Sequence, residues 1–457
     1  MDKTPKNEPD EPVSEGIPAP DGPANLIDTD YVIGQDNITA NAMGLNLDLH
    51  GKVFSISAII VLLFVVLTLA LQDTIAPIYD AIFGFLTGNL AWFFILAANI
   101  FVILCIGLIF SPLGKIRIGG ADAKPDFTYM GAEGNAAAAE ALAMAATIFH
   151  WGLHPWAIYA VVALSLALFS FNKGLPLSMR SVFYPLLGER VWGWPGHVID
   201  ILAVFATLFG LATSLGLGAT QAAAGLTYLF GAPESDITMI LLIIGITMIA
   251  IGSIVAGVDK GVQLLSKINI ILAAMLLFFV IAVGPTLMIA TGFFENLWNY
   301  AVHLPALSNP FGREDANFSQ GWTAFYWAWW ISWSPYVGMF IARVSRGRTV
   351  REFLVSVMLV PSTVSVLWMT TFGGTAIDQY VSQGIEAVRD AGVDLQLFIM
   401  LEQLPLSQIT SFVAIVLVIV FFVTSSDSGS LVIDSITAGG KVDAGRSLKA
   451  RLPLRYC

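Results

Sequence analysis

The fold class this sequence predicts is an all-α polytopic membrane protein, and three observations carry it. Of its 457 residues, 56% are hydrophobic and only 12% charged, with a mean hydropathy of +0.76; a soluble chain has about twice that charged fraction. Uninterrupted apolar runs of about twenty residues recur along it, enough for a helix to cross a bilayer. The cations gather between the runs, as loops facing the cytoplasm do.

The runs predict nine spans, at roughly 53–71, 91–111, 141–170, 197–230, 236–258, 266–291, 322–343, 354–375 and 408–426. Residues 1–49 are rich in Pro, Asp, Glu and Asn and read as a disordered acidic tail that holds much of the net charge of −11. The tail has no basic segment followed by an apolar one, so it is not a signal peptide. Residues 50–444 form the membrane domain, and 445–457 a basic, proline-broken tail unlike the rest. Cys105 and Cys457 give neither a disulfide framework nor a metal spacing. The medium is the lipid bilayer, and nothing in the composition points to nucleic acid.

Of the 22 Lys and Arg, all but Arg313 and Arg389 fall at the amino terminus or in five loops, which places both in the cytoplasm. Successive cytoplasmic clusters must be separated by an even number of spans. Two lie between Lys173 and Lys260, two between Lys267 and Arg343, and two between Arg351 and Lys441. Only one lies between Lys124 and Lys173. Either the 141–170 segment re-enters the membrane, or a span is missing near Met130–Ala132; thirty apolar residues are long for re-entry, which favours the missing span.

Five of the twelve tryptophans, Trp322, Trp327, Trp329, Trp330 and Trp333, stand in one predicted span. Membrane helices ordinarily keep Trp at headgroup depth. At about 100° per residue, Trp327, Trp330 and Trp333 follow one side of a helix, and Trp329 lies about 40° from Trp333. The stretch HWGLHPWAIY adds Trp151, Trp156 and Tyr159 within about 140° of one another. Together they supply the π-faces for a cage around a quaternary ammonium or sulfonium, which cannot donate N–H hydrogen bonds. His150 and His154, one turn apart, read as helix-packing groups rather than a metal pair, because no third ligand stands near them in sequence. FFVTSSDSGS, Phe421–Ser430, closes the last apolar run and offers the Thr424 and Ser425 hydroxyls with helix-end carbonyls, hard oxygens that suit Na⁺. The Ser/Asp-rich segment 425–430 has no paired His nearby in sequence, which argues against a membrane hydrolase. The small-residue run Leu211–Leu226 reads as a close-packing helix.

At FYWAWWISWSPYVGMFIARVSRGRTVREF the sequence resembles the betaine/carnitine/choline transporter family, and HWGLHPWAIY, SLGLGATQ and FFVTSSDSGS agree with it in the same order. The resemblance covers residues 50–444. It implies a LeuT-like fold of inverted repeats with broken helices and a midplane site. It also implies secondary active transport of betaine, choline, carnitine or dimethylsulfoniopropionate across the inner membrane, with Na⁺ or else protons as coupling ion, by a homotrimer. Carried over by residue, it makes Trp151, Trp156, Tyr159 and Trp330 the aromatic box, with Trp327, Trp329 and Trp333 lining the same pathway. Phe421, Thr424 and Ser425 match one sodium site, and Thr207 and Tyr336 a second, where Leu211 replaces a threonine. Arg346–Glu352 resembles a short cytoplasmic helix. The family has twelve spans and this chain offers nine. The absent ones are a glycine-rich discontinuous helix expected between Tyr129 and Gly134, and two after Ala444.

Overall fold

The computed structural model describes residues 27, 29–42, 45–110, 136–256, 261–311, 315 and 317–440. The tail 1–26, the interruption near 130–133 and the basic tail 445–457 lie outside these residues. Among the described residues, fifteen α-helices follow a short hairpin. In chain order they are α1 Gly51–Ala70, α2 Gln72–Phe110, α3 Ala136–Trp151, α4 Leu153–Ala167, α5 Met179–Val182, α6 Tyr184–Leu187, α7 Trp194–Phe230 and α8 Asp236–Ala256. After them come α9 Val262–Val283, α10 Thr286–Ser308, α11 Ala324–Val344, α12 Val350–Val381, α13 Glu386–Asp390, α14 Gln396–Glu402 and α15 Ser407–Thr437.

Among the described residues, eight helical stretches are long and apolar enough to cross a membrane. Leu69, Ile103, Ile237 and Phe278 are 66 to 75% exposed, an apolar surface fit for lipid rather than water. The predicted span 322–343 corresponds to α11, 21 residues entered through a π-helical turn at Asn317–Thr323; α11 is not among the eight. It packs along α4 and α7, while α15 lies against α7, α8 and α9.

The predicted span 141–170 corresponds to the candidate span Glu140–Asn172, interrupted at Gly152 between α3 and α4. Three expectations are corrected. The run 266–291 likewise divides at Gly284-Pro285 into α9 and the separate α10. No short helix covers Arg346–Glu352. There Gly347 turns the chain at φ +82°, a left-handed conformation open to glycine, and a capping box starts α12. In that box Thr349 accepts from Glu352 N–H, and Glu352 from Thr349 N–H. Finally, α15 does not end near Phe421–Ser430 but runs to Thr437. Alternate positions of its polar stretch, Ser425, Asp427 and Gly429, are buried against neighbours: a Cβ on Gly429 would lie 2.4 Å from Leu211, and Gly218 of α7 leaves room for Phe422. The small-residue run thus packs closely, as its composition predicts.

Disorder through residue 49 also fails in part. Asn37–Ala42 (β1) and Leu45–His50 (β2) pair antiparallel, with Asn37 opposite His50 and Ala42 opposite Leu45. Composition averaged over the tail hides the polar–apolar alternation of NITANA and LNLDLH. The hairpin is anchored far away in sequence: Asn37 Nδ2 donates to Asp48 Oδ1 at 2.9 Å and to the Ala438 carbonyl at 3.0 Å. Tyr31 stacks on Trp192 with centroids 4.2 Å apart, and Ile27 N donates to Lys173 O. Beneath it, Arg180 and Asp200, 2% and 0% exposed, form an ion pair between the α5 segment and α7, with Asp200 also accepting from Arg180 N–H.

Candidate functional site: an aromatic cage at a broken helix

The site begins with the interruption at Gly152. A Cβ there would sit 2.7 Å from the Ile148 carbonyl oxygen and 3.1 Å from the Tyr300 hydroxyl, so the close approach requires glycine. A helix break leaves carbonyls without partners on one side and amides on the other. Trp330 Nε1 donates to the His150 carbonyl at 2.9 Å, and Leu153 N donates to the Tyr300 hydroxyl at 3.1 Å. Pro155, in the first turn of α4, has no N–H to lose there. The break therefore binds α11 on one side and α10 on the other.

Around it the rings meet nearly at right angles. Trp151 and Trp330 have centroids 5.0 Å apart at 83°, and Tyr159 and Trp330 5.8 Å at 87°. Trp156 and Tyr159 are 5.6 Å apart at 80°. Trp329 stacks on Trp330 at 5.7 Å and 11°, meets Trp151 edge-on at 6.4 Å, and donates its indole N–H to Ser214 of α7. Perpendicular planes build corners, and these walls are neutral and rich in π-electrons, a surface for an onium head and not for an anion. Tyr159 is 3% exposed and its hydroxyl has no hydrogen-bond partner among the described residues. Four of these rings, Trp151, Trp156, Tyr159 and Trp330, are those the family resemblance implies as a box, and the structure brings them side by side.

The sequence-family comparison decides what such a site belongs to. The family model for the betaine/carnitine/choline transporters matches residues 52–131 and 129–452. The chain belongs to the betaine/carnitine/choline transporter family. It is 57% identical to a glycine betaine/proline/choline transporter of Vibrio parahaemolyticus, over 94% of this chain and 86% of the relative. A glycine betaine transporter of the same organism is 51% identical over 91% and 86%, and one of Bacillus subtilis 40% over 82% and 80%. Family membership makes the chain a transporter and not an enzyme. The first alignment covers 477 positions, more than the chain's own 457 residues. It takes in 94% of the chain, about 430 residues, and so leaves about 47 positions to the relative alone. The two matched segments meet at 129–131, the point where charge parity fails.

Within this betaine/carnitine/choline transporter the remaining predicted residues separate. Trp327 turns away from the cage: it is 0% exposed, lies flat on His154 at 5.5 Å and 13°, and meets Phe149 at 5.0 Å. It belongs to the core cluster that includes Ile148, Tyr300, Leu307 and Val366. Trp333 packs on Gly210 of α7 and edge-on to Tyr336 at 5.3 Å. His150 bonds Thr323 at 2.9 Å and His154 bonds Asn99 at 2.8 Å, the packing role expected of them.

The Thr424 and Thr207 hydroxyls that the resemblance matches to sodium sites stand on α15 and α7 and bond within their own helices. Thr424 Oγ1 donates to Phe421 O at 2.9 Å, joining two of those residues within one turn of α15, and Ser425 is buried. Thr207, 1% exposed, donates to Ala203 O, one turn back on α7; Ala203 and Val204 share a core cluster with Tyr336. Both hydroxyl oxygens keep lone pairs for a hard cation. Asp427, 0% exposed, takes Ser253 Oγ on Oδ2 and Ser428 Oγ on Oδ1.

Two residues of the site were not singled out from sequence. Tyr326 stacks on His150 at 4.6 Å and meets Trp151 at 5.8 Å. It lies one turn before Trp330 in the same motif, so helical spacing could have found it. Tyr300 stands on α10, which hydropathy runs together with α9, and no local pattern marks it.

Proposed function

We propose that this chain is a Na⁺-coupled symporter of a small quaternary ammonium osmolyte, glycine betaine first among them, across the inner membrane. The observation that carries the reading is the corner of Trp151, Tyr159 and Trp330, whose ring planes stand 83° and 87° apart. A trimethylammonium head set there meets several π-faces, each contact contributing about 2 kcal/mol once desolvated. The three relatives named above all carry glycine betaine in their names. Phe421, Thr424 and Ser425 on α15 are the first candidates for the Na⁺ ligands, and Thr207 and Tyr336 the second. The amino terminus and basic loops face the cytoplasm, and the assembly is a trimer.

Reconstitution in proteoliposomes tests this. Radiolabelled glycine betaine should accumulate under an inward Na⁺ gradient and not when K⁺ replaces Na⁺. Uptake driven by a pH gradient alone would replace Na⁺ with protons. Binding without uptake would make the chain an onium sensor, and absence of both would refute the reading.

A further inference from the structure

We propose that Tyr300 is a positioning residue for the onium cage, holding the start of α4, and with it Trp156 and Tyr159, at its angle to Trp330. The inference rests on the onium reading of the cage and adds to it a residue on α10, outside the aromatic motifs.

Continuous helix through residues 141–170 would satisfy the backbone of Leu153 internally. The break at Gly152 removes that partner, and a buried amide left alone costs far more than one facing water. Tyr300, 6% exposed, supplies the acceptor at 3.1 Å. The space is tailored to it, since Gly152 leaves no room for a Cβ beside the same hydroxyl. On the other side of the break, the His150 carbonyl holds the Trp330 indole. The two freed backbone groups are thus used in opposite directions, one to seat the α11 wall and one to seat the α4 wall.

Trp156 and Tyr159 follow Leu153 by three and six residues on the helix whose first amide Tyr300 fixes. A rotation of α4 about its start would swing Tyr159 away from its edge contact with Trp330. Tyr300 touches no wall ring of the cage in a ring–ring contact among the described residues. Its hydrogen-bonded link to the α4 wall is the Leu153 N–H.

Tyr300→Phe keeps the ring in the core and removes the hydroxyl. In the full chain, glycine betaine affinity measured by tryptophan-fluorescence titration should fall about tenfold, which corresponds to about 1.4 kcal/mol. In uptake assays, KM should rise with kcat little changed. Full affinity in Tyr300→Phe would overturn the proposal.

The near-UV circular dichroism of the ligand-free protein keeps the two readings apart. Tyr300→Phe should weaken the signal of the coupled indoles by altering their mutual angle, whether or not the chain binds betaine. An unmodified chain that does not bind betaine would count against the onium reading alone. An unchanged near-UV spectrum would count against the positioning role alone.

Discussion

Replacing Trp330 is the most direct test of the cage, and the structure lets its cost be divided. The indole contributes a face to the onium head, an N–H to the His150 carbonyl, edge contacts with Trp151 and Tyr159, and a stack on Trp329. Trp330→Phe keeps a weaker π-face and strips the N–H, leaving the carbonyl freed by the helix break without its donor. That should cost about 1–2 kcal/mol, roughly 5- to 30-fold in affinity. Trp330→Ala also deletes the cation–π contact, worth about 2 kcal/mol, and unsettles its neighbours, for a total of about 3–4 kcal/mol or a 100- to 1,000-fold loss. Equilibrium binding of radiolabelled glycine betaine to purified protein reads both. Trp298→Ala is the control, since that indole is 70% exposed on the outer side of α10 and should leave affinity unchanged. If Trp330→Ala bound like the unmodified protein, the cage would not be the site.

Three further substitutions probe the frame around it. Trp327→Phe should leave onium affinity unchanged, because this indole stacks on His154 and its N–H has no acceptor, whereas Trp327→Ala should lower stability by about 3–5 kcal/mol in thermal unfolding. A loss of affinity in Trp327→Phe matching that of Trp330→Phe would put Trp327 back in the cage. Gly152→Ala drives a methyl into a backbone oxygen and should cost about 1–3 kcal/mol, together with weaker binding in the fluorescence titration. Asp200→Asn leaves Arg180 as an uncompensated buried cation and should destabilise by about 3–5 kcal/mol, read as a fall in melting temperature. Replacing both partners with apolar residues of similar size should restore much of that loss.

Sequence made the two aromatic clusters legible because indoles inside an apolar run are costly to place without a use, while the choice of Trp151, Trp156, Tyr159 and Trp330 among them came with the family resemblance. It made the helical class legible through hydropathy alone. Averaged hydropathy also explains what was hidden: Gly152 and Gly284-Pro285 interrupt apolar runs without lowering their mean, so each run was read as a single span. The glycine and proline residues at both places are breaking signals in their own right. The opposite error occurred at Thr424–Ser430, where falling hydropathy suggested a helix end. Packing against α7 and α8 sustains the helix through a polar stretch, with Asp427 and Gly429 on its buried positions. Trp327 shows the limit of angular reasoning. Spacing put it about 60° from Trp330, but which ring faces the cage and which the core depends on the neighbours, and those come from distant segments. The box itself drew on Tyr300, 147 residues from its partner Leu153, a pairing that no local pattern announces.

The hairpin Asn37–His50 has a consequence for the order of assembly. Its anchor, the Ala438 carbonyl, is 401 residues further along the chain. A ribosome adding about 5–20 residues per second completes that distance only after tens of seconds. The hairpin therefore leaves the ribosome long before its seat exists and must wait, undocked, while the intervening helices enter the membrane. Its docking is a late event, dependent on α15 being in place, and protease resistance of this short ribbon would report that the helices between have assembled.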